Sequence, residues 1–152
     1  MPGPFSIADG SLSPARQISS PNFDHRPIDS NIEIVVIHCI SLPPGEYGGD
    51  AIERFFTNQL DIDEHPYFRE IANLEVSSHL LIKRDADVIQ FVNFEERAWH
   101  AGVSCYEGRE RCNDFSIGIE LEGCEDSAFT AEQYHALACV TATLLEYYPH
   151  LG

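Results

Sequence analysis

Three histidines and two neighbouring carboxylates are the residues of this chain whose types suit catalysis. His38 ends the most apolar run of the sequence, whereas His79 and His100 belong to separate later segments. Neutral imidazole and carboxylate groups bind zinc, and a catalytic zinc has three protein ligands and an open position for water. Spacing alone does not bring any two of these histidines together. Each, taken alone, is more often an ordinary hydrogen-bonded or semi-buried histidine.

The two carboxylates are Glu120 and Glu122. Apolar and polar residues alternate through 115–122, which predicts a strand with both glutamates on its polar face. Like charges this close raise the pKa of one carboxyl group, which suits a general base near neutral pH. The alternative is that Glu122 faces solvent and Glu120 pairs with an arginine such as Arg111.

The elements that position these residues are mostly strands. The unbroken apolar run before His38 predicts a strand covered on both faces, in the middle of a sheet. Segments 77–84 and 88–92 surround a tight turn and predict a hairpin. We therefore expect an α/β fold, with a mixed central β-sheet flanked by helices.

Three helices are predicted. Residues 50–59 have apolar residues at helical spacing behind Asp50 as N-cap, and Pro66 begins a further turn or two. Thr130 opens a capping box, and the longest helix follows it until Pro149. The residues of that helix expected to form its apolar face are Tyr134, Leu137, Ala138, Thr141, Leu144 and Leu145.

The length of 152 residues fits one domain, and 43% of the residues are hydrophobic, as in a globular chain. Residues 1–30 are rich in Ser, Pro, Asp and Gly, so we predict an extended N-terminal arm there and the domain proper over 31–152. An ion pair between Asp24 and Arg26 is expected to fix this arm to the domain.

The formal net charge of −16 disfavours nucleic acid and anionic membranes as partners. The five cysteines include no CxxC pair and their number is odd, which indicates free thiols in a reducing cytosol. We expect no signal peptide, because the first residues have no basic start and no long apolar run, and no membrane span, because no apolar run reaches the roughly 20 residues that a span needs. We expect a cytoplasmic monomer.

Four segments in order carry a resemblance to a known family. They are residues 20–27 (SPNFDHRP), 36–38 (VIH) with 41–49 (SLPPGEYGG), 97–104 (RAWHAGVS) and 108–123 (GRERCNDFSIGIELEG). From about residue 20 onward the chain resembles the AmpD-type anhydro-N-acetylmuramyl-L-alanine amidases, the cytoplasmic zinc amidases of bacterial cell-wall recycling. The resemblance implies the N-acetylmuramoyl-L-alanine amidase-like fold and a muropeptide substrate.

The resemblance also implies roles for individual residues. His38 matches the first zinc ligand, and Glu120 matches the residue that takes a proton from zinc-bound water as it attacks the carbonyl joining muramic acid to L-alanine. Arg111 matches an arginine that holds a carboxylate of the stem peptide, and Trp99 lies in a segment that lines the groove. Plain core packing of Trp99 is the alternative for that residue. His79 and His100 are expected to be shape or hydrogen-bonding residues only.

Two departures from the family pattern matter. The other two zinc ligands and a lysine of the family lie downstream of the long helix, beyond Gly152, so we expect the 152 residues alone to be inactive. Any zinc at His38 should be loose, or completed by water, a neighbouring chain or an unusual ligand. Cys39 replaces an asparagine and should point away from His38. The alternative function is a non-catalytic muropeptide-binding module without zinc.

Overall fold

The computed structural model describes residues 4–152. The strands are β1 (Ser6–Ala8), β2 (Ser11–Ser13), β3 (Arg16–Gln17), β4 (Phe23–His25), β5 (Ile34–Ile40), β6 (Leu80–Ile82), β7 (Val88–Gln90), β8 (Glu96–Ala98), β9 (Cys105–Tyr106), β10 (Arg109–Glu110) and β11 (Ser116–Glu122). The helices are α1 (Ala51–Phe56), α2 (Pro66–Ile71) and α3 (Ala131–Tyr147), and a 3₁₀ helix covers Cys112–Phe115.

A mixed sheet of five strands in the order β3-β7-β6-β11-β5 forms the centre of the fold. β11 runs parallel to both of its neighbours, β5 and β6, while β6 and β7 form the predicted antiparallel hairpin. Helices cover both faces of this sheet. The predicted α/β fold with a mixed central sheet is therefore confirmed.

The position predicted for the strand carrying His38 is wrong. β5 is an edge strand, because within residues 4–152 only β11 pairs with it. Its residues are partly exposed, and Ile37 keeps 44% of its accessible surface. An unbroken apolar run does not specify how many neighbours a strand has, and the fully buried strand is β11 instead.

Alternation along the strands sorts apolar side chains onto two cores. Ile117, Ile119 and Leu121 of β11 face the core under α3. The opposite core packs the side chains of α1 and α2 against Leu81 and Ile89. Each face of the sheet therefore has its own helices and its own apolar core. The polar residues of β11 alternate with the apolar ones and lie on the face opposite to α3.

The long helix is confirmed, although its buried face differs from the predicted one. Thr130 accepts a hydrogen bond from the Gln133 backbone and Gln133 Oε1 accepts one from Thr130, which completes the capping box. The Gln133 amide donates to the backbone carbonyls of Ile82 and Glu122, at 3.1 and 2.9 Å. These bonds place Gln133 on the buried side of the helix. The buried residues are Gln133, Ala136, Val140 and Leu144, whereas Tyr134 and Leu145 are exposed.

The short helices follow the prediction with one change at a cap. α1 begins after Asp50, but the Asp50 side chain caps no backbone amide and pairs with Arg54 at 3.0 Å. α2 begins at Pro66, and His65 is its N-cap, since its ring nitrogen accepts from the Tyr67 amide.

The N-terminal segment is more structured than the predicted extended arm. β3 joins the central sheet beside β7, β4 pairs with β8, and Leu12 is buried in the core under α3. Residues 1–3 lie outside the described residues, and the boundary at residue 30 stays a prediction. The expected ion pair between Asp24 and Arg26 is wrong, because Asp24 pairs with Arg97. No helix within residues 4–152 is long and apolar enough to cross a membrane.

Candidate active site

His38 and Glu120 lie side by side on adjacent strands. The parallel register of β5 and β11 pairs His38 directly with Glu120, so the two side chains leave the same face of the sheet. His38 is half-buried, and burial lowers the pKa of its ring, which keeps the imidazole neutral. Cys39, the next residue of the edge strand, is exposed. Alternation along β5 predicts that its side chain lies on the side of the sheet opposite to His38.

Glu120 is a buried carboxyl group without a protein partner. Its exposed fraction is 8%, and its Oε1 atom is buried with no hydrogen-bond partner. Burial raises the pKa of Glu120 to about 7, because the charged form loses its hydration. The predicted alternative, a pair with Arg111, is absent among the described residues. A buried carboxyl group without a hydrogen-bond partner is uncommon in folded proteins, which indicates a functional role for Glu120.

Glu122 does not share this environment. It is 2% exposed, and its two oxygens accept hydrogen bonds from the backbone amides of Arg84 and Gly48, at 3.0 and 2.9 Å. The expectation that Glu122 faces solvent is therefore wrong. The raised pKa of Glu120 has burial as its cause, not the like charge of Glu122 that the sequence suggested.

His100 meets His38, a contact that spacing did not reveal. His38 Nε2 lies 3.0 Å from His100 Nδ1, and His100 Nε2 lies 3.0 Å from Ser116 Oγ. The ring fills the space above Gly118, where an added Cβ would stand 2.3 Å from His100 Cγ. Asn113 Oδ1 accepts from the amides of His100 and Ala101. Burial, then the nearby His38 and Arg26, lowers the pKa of His100 to about 3.

His79 and Arg26 form the layer behind His100. His79 is fully buried, accepts from the Gly118 amide through Nδ1 and donates from Nε2 to the Glu96 carbonyl. Arg26 makes five hydrogen bonds to the backbone carbonyls of Phe94, Asn113, Asp114 and Ser116. Burial lowers the pKa of Arg26 to about 10, so it stays charged at neutral pH. Arg26 ties β11 and the 3₁₀ helix to the segment before β8.

Arg111 lies at the start of the 3₁₀ helix, with φ of 58°. Each of the other eight Lys and Arg residues contacts a carboxylate or a backbone carbonyl, whereas Arg111 has no such partner among residues 4–152. A guanidinium without a partner, on a chain with a net charge of −16, is available to an external carboxylate.

Trp99 follows β8 directly, and core packing does not explain it. The side chain is only partly buried and belongs to neither hydrophobic core. Its Nε1 donates to Asp24 Oδ1 at 3.1 Å, and its backbone exchanges hydrogen bonds with Ser77. Trp99 is therefore held in place with part of its ring exposed to solvent.

The residues near His38 provide only some of the groups that a metal site needs. The imidazole and the unpartnered Glu120 oxygen are suitable groups, but no group of three His, Cys, Asp or Glu residues within 4–152 is arranged to hold a metal. The described residues thus offer one candidate ligand and one candidate base. A complete site needs further donors.

Two features of this arrangement were not predicted from the sequence. His100 is a hydrogen-bonding residue, as predicted, but the sequence did not indicate that its partner is the candidate ligand His38. Arg26 was assigned to an ion pair, although it binds backbone carbonyls behind the site. The available signal for His100 was Gly118, since a small residue on the polar face of a buried strand leaves room for a ring.

Comparison with known proteins gives consistent results. The family model of N-acetylmuramoyl-L-alanine amidases (Amidase_2) matches residues 28–152. The 1,6-anhydro-N-acetylmuramyl-L-alanine amidase AmpD of Salmonella typhimurium is 57% identical over 143 residues, which cover 94% of this chain and 76% of the relative.

Two solved structures share the fold. A crystal structure of AmpD, a selenomethionine derivative, superimposes with a TM-score of 0.93 at 54% identity, and the match covers 95% of this chain and 81% of that chain. The amidase AmiD from E. coli, in complex with anhydro-N-acetylmuramic acid-L-Ala-D-γ-Glu-L-Lys, matches with a TM-score of 0.52 at 25% identity. This match covers 97% of this chain and 53% of the AmiD chain.

Proposed function

This chain belongs to the N-acetylmuramoyl-L-alanine amidase family, and we propose that its site hydrolyses the amide bond between anhydro-N-acetylmuramic acid and L-alanine in muropeptides. The observation that carries the proposal is the buried Glu120, which lies beside His38 and keeps one oxygen without a partner. A muropeptide is also the ligand for which a free guanidinium and a partly exposed indole are suitable partners.

Glu120 is the general base of the proposed reaction. At a pKa of about 7, near half of these carboxyl groups are ionised at neutral pH, and the conjugate acid still releases its proton readily. Since no protein donor occupies Oε1, its lone pairs are free to accept a proton from water. The same carboxyl group then returns the proton to the leaving amine of L-alanine.

We propose zinc as the cofactor, with His38 as one ligand. Zinc, when bound, lowers the pKa of water and polarises the amide carbonyl. His38 supports this assignment because its ring is neutral and half-buried beside Glu120. Donors other than the described residues must complete the site, since no group of three His, Cys, Asp or Glu residues within 4–152 is arranged to hold a metal.

Arg111 and Trp99 recognise the two ends of the substrate in this proposal. The Arg111 guanidinium binds a carboxylate of the stem peptide through two parallel hydrogen bonds. The exposed part of the Trp99 ring packs against the sugar, because aromatic faces suit the apolar faces of sugar rings.

The alternative function is a non-catalytic module that binds muropeptides without zinc. Such a module would use Arg111 and Trp99 in the same way but would have no task for Glu120. The orphaned Glu120 oxygen therefore favours the hydrolase.

The two functions are separated by one assay. Anhydro-N-acetylmuramic acid-L-Ala-D-γ-Glu-L-Lys is incubated with the protein, with and without excess zinc, and the released tripeptide is measured by mass spectrometry. Without added zinc we expect no release, in line with the predicted inactivity of the 152 residues alone. With excess zinc we expect slow release that is lost in Glu120→Gln, while substrate and zinc still bind. Glu125→Gln, at an exposed position, is the control. Binding without release at any zinc concentration would establish the module, and absence of binding would exclude both functions.

A further inference from the structure

Trp99 is the only tryptophan of the chain, and a carboxylate from the N-terminal segment fixes its indole. Trp99 Nε1 donates to Asp24 Oδ1 at 3.1 Å. Asp24 belongs to β4, which pairs with β8 and lies outside the central sheet. The residue in contact with the indole therefore comes from a segment that precedes the candidate base by almost a hundred positions.

Strand geometry explains why one carboxylate reaches two side chains. In the antiparallel pair of β4 and β8, Asp24 lies directly opposite Arg97, so both point to the same side. Trp99 stands two residues after Arg97, and the period of two along an extended chain returns it to that side. Asp24 thus accepts from Arg97 Nε at 2.7 Å, from Arg97 Nη2 at 2.6 Å and from the indole.

Arg97 connects this contact to the segment that carries Arg111. Arg97 Nη1 donates to Asp114 Oδ1 at 2.5 Å, and the Asp114 amide donates to the Arg111 carbonyl at 2.9 Å. Arg97 and Asp114 are mostly buried, with 28% and 23% of their side chains exposed. A continuous chain of contacts therefore runs from the Trp99 indole to the turn that holds Arg111.

We propose that Asp24 is a positioning residue, which fixes the Trp99 indole for the sugar of the substrate and, through Arg97 and Asp114, sets its spacing from Arg111. This inference rests on the proposed function, because that function assigns Trp99 and Arg111 to the two ends of a muropeptide. The carboxylate acts on the free protein by removing the rotational freedom that the indole would otherwise lose on binding.

The variants separate the indole contact from the ion pair. Asp24→Ala removes both, whereas Asp24→Asn keeps an amide oxygen that accepts from the indole. Asp87→Ala is the matched control. Asp87 lies just before β7 and makes a comparable ion pair, at 2.7 Å, with Arg16 of β3, far from β4 in the sequence.

The first measurement uses the single indole N–H signal in a ¹⁵N NMR spectrum of the free protein. We expect Asp24→Ala to shift this signal and to raise its exchange with water at least fivefold. Asp24→Asn should restore slow exchange, and Asp87→Ala should leave the signal unchanged. An unchanged indole signal in Asp24→Ala would overturn the positioning role, whatever the function of the protein.

The second measurement is calorimetric binding of anhydro-N-acetylmuramic acid-L-Ala-D-γ-Glu-L-Lys, with the free tripeptide as a second probe. Asp24→Ala should weaken binding of the full ligand about fivefold, the effect of ordering one large side chain. It should change the affinity for the free tripeptide much less. In a Trp99→Phe background, which lacks the N–H donor, Asp24→Ala should have no further effect.

Additive effects of Asp24→Ala and Trp99→Phe would show that Asp24 does not act through the indole, and would overturn the inference. If Trp99→Phe and Trp99→Ala both bind the full ligand as well as the unmodified protein does, the proposed sugar contact of Trp99 fails. The NMR result separates that failure from a failure of positioning, since it needs no ligand.

Discussion

The Glu120 carboxyl group should make the stability of the metal-free protein depend on pH in a way that one substitution removes. Glu120→Gln replaces the carboxyl group by a neutral amide of nearly the same shape. The amide cannot ionise, so it avoids the cost of placing a charge in a site with 8% exposure. The variant is thus expected to gain stability relative to the unmodified protein as the pH rises.

The magnitude follows from the pKa of Glu120, which burial raises from 4.5 to about 7. Between these values the folded chain binds one more proton than the unfolded chain, so the free energy of unfolding falls as pH rises. Each pKa unit corresponds to about 1.4 kcal/mol. Between pH 5 and pH 8 the stability of Glu120→Gln relative to the unmodified protein should rise by about 2.5 kcal/mol.

Urea unfolding, followed by circular dichroism in a chelating buffer at four pH values from 5 to 8, measures this difference. Glu125→Gln, at an exposed position, should change stability by less than about 0.5 kcal/mol throughout. A difference between Glu120→Gln and the unmodified protein that stays constant across this range would refute the reasoning. It would mean that Glu120 ionises in the fold as easily as in the unfolded chain.

Three further substitutions test the roles of Arg111, Arg26 and Gly118. Arg111→Ala should weaken binding of the L-Ala-D-γ-Glu-L-Lys tripeptide about tenfold in calorimetry, the loss expected for a charge-assisted pair. The control Arg69→Ala, at an exposed ion pair, should not change this affinity. Equal affinities of Arg111→Ala and the unmodified protein would contradict a role of Arg111 in peptide recognition. Arg26→Met should lower the free energy of unfolding by about 3 kcal/mol or more, since several buried carbonyls lose their donor; a loss below 1 kcal/mol in urea unfolding would contradict this. Gly118→Ala should lower the free energy of unfolding by about 1 to 3 kcal/mol and displace His100. Gly152→Ala is the control, because a Cβ added there has nothing within 4 Å, and it should leave the free energy of unfolding unchanged.

Local patterns predicted the elements well. The alternation through 115–122 specified β11 and its two faces, and the capping box at Thr130 fixed the start of α3. These features depend on residues that are close in sequence, so they can be recognised without knowledge of the tertiary contacts. The resemblance of four ordered segments likewise predicted the family correctly.

Neighbour relations were predicted less well, because they depend on residues far apart in sequence. The apolar run before His38 suits an edge strand with one covered side as well as a central strand. Glu122 looks like a surface residue until the amides of Gly48 and Arg84 are placed beside it. The contact of His38 with His100 spans 62 positions, and no local pattern specifies it.

The edge position of β5 has a consequence for the behaviour of the protein in solution. Within the described residues its outer side has no partner strand, and Ile37 and Leu145 leave apolar surface exposed near it. An open edge of this kind is a template for pairing with other chains. The charge of −16 opposes such self-association by repulsion between molecules. Colloidal stability therefore depends on ionised carboxylates, and acidification or high salt should cause aggregation long before the fold itself is lost.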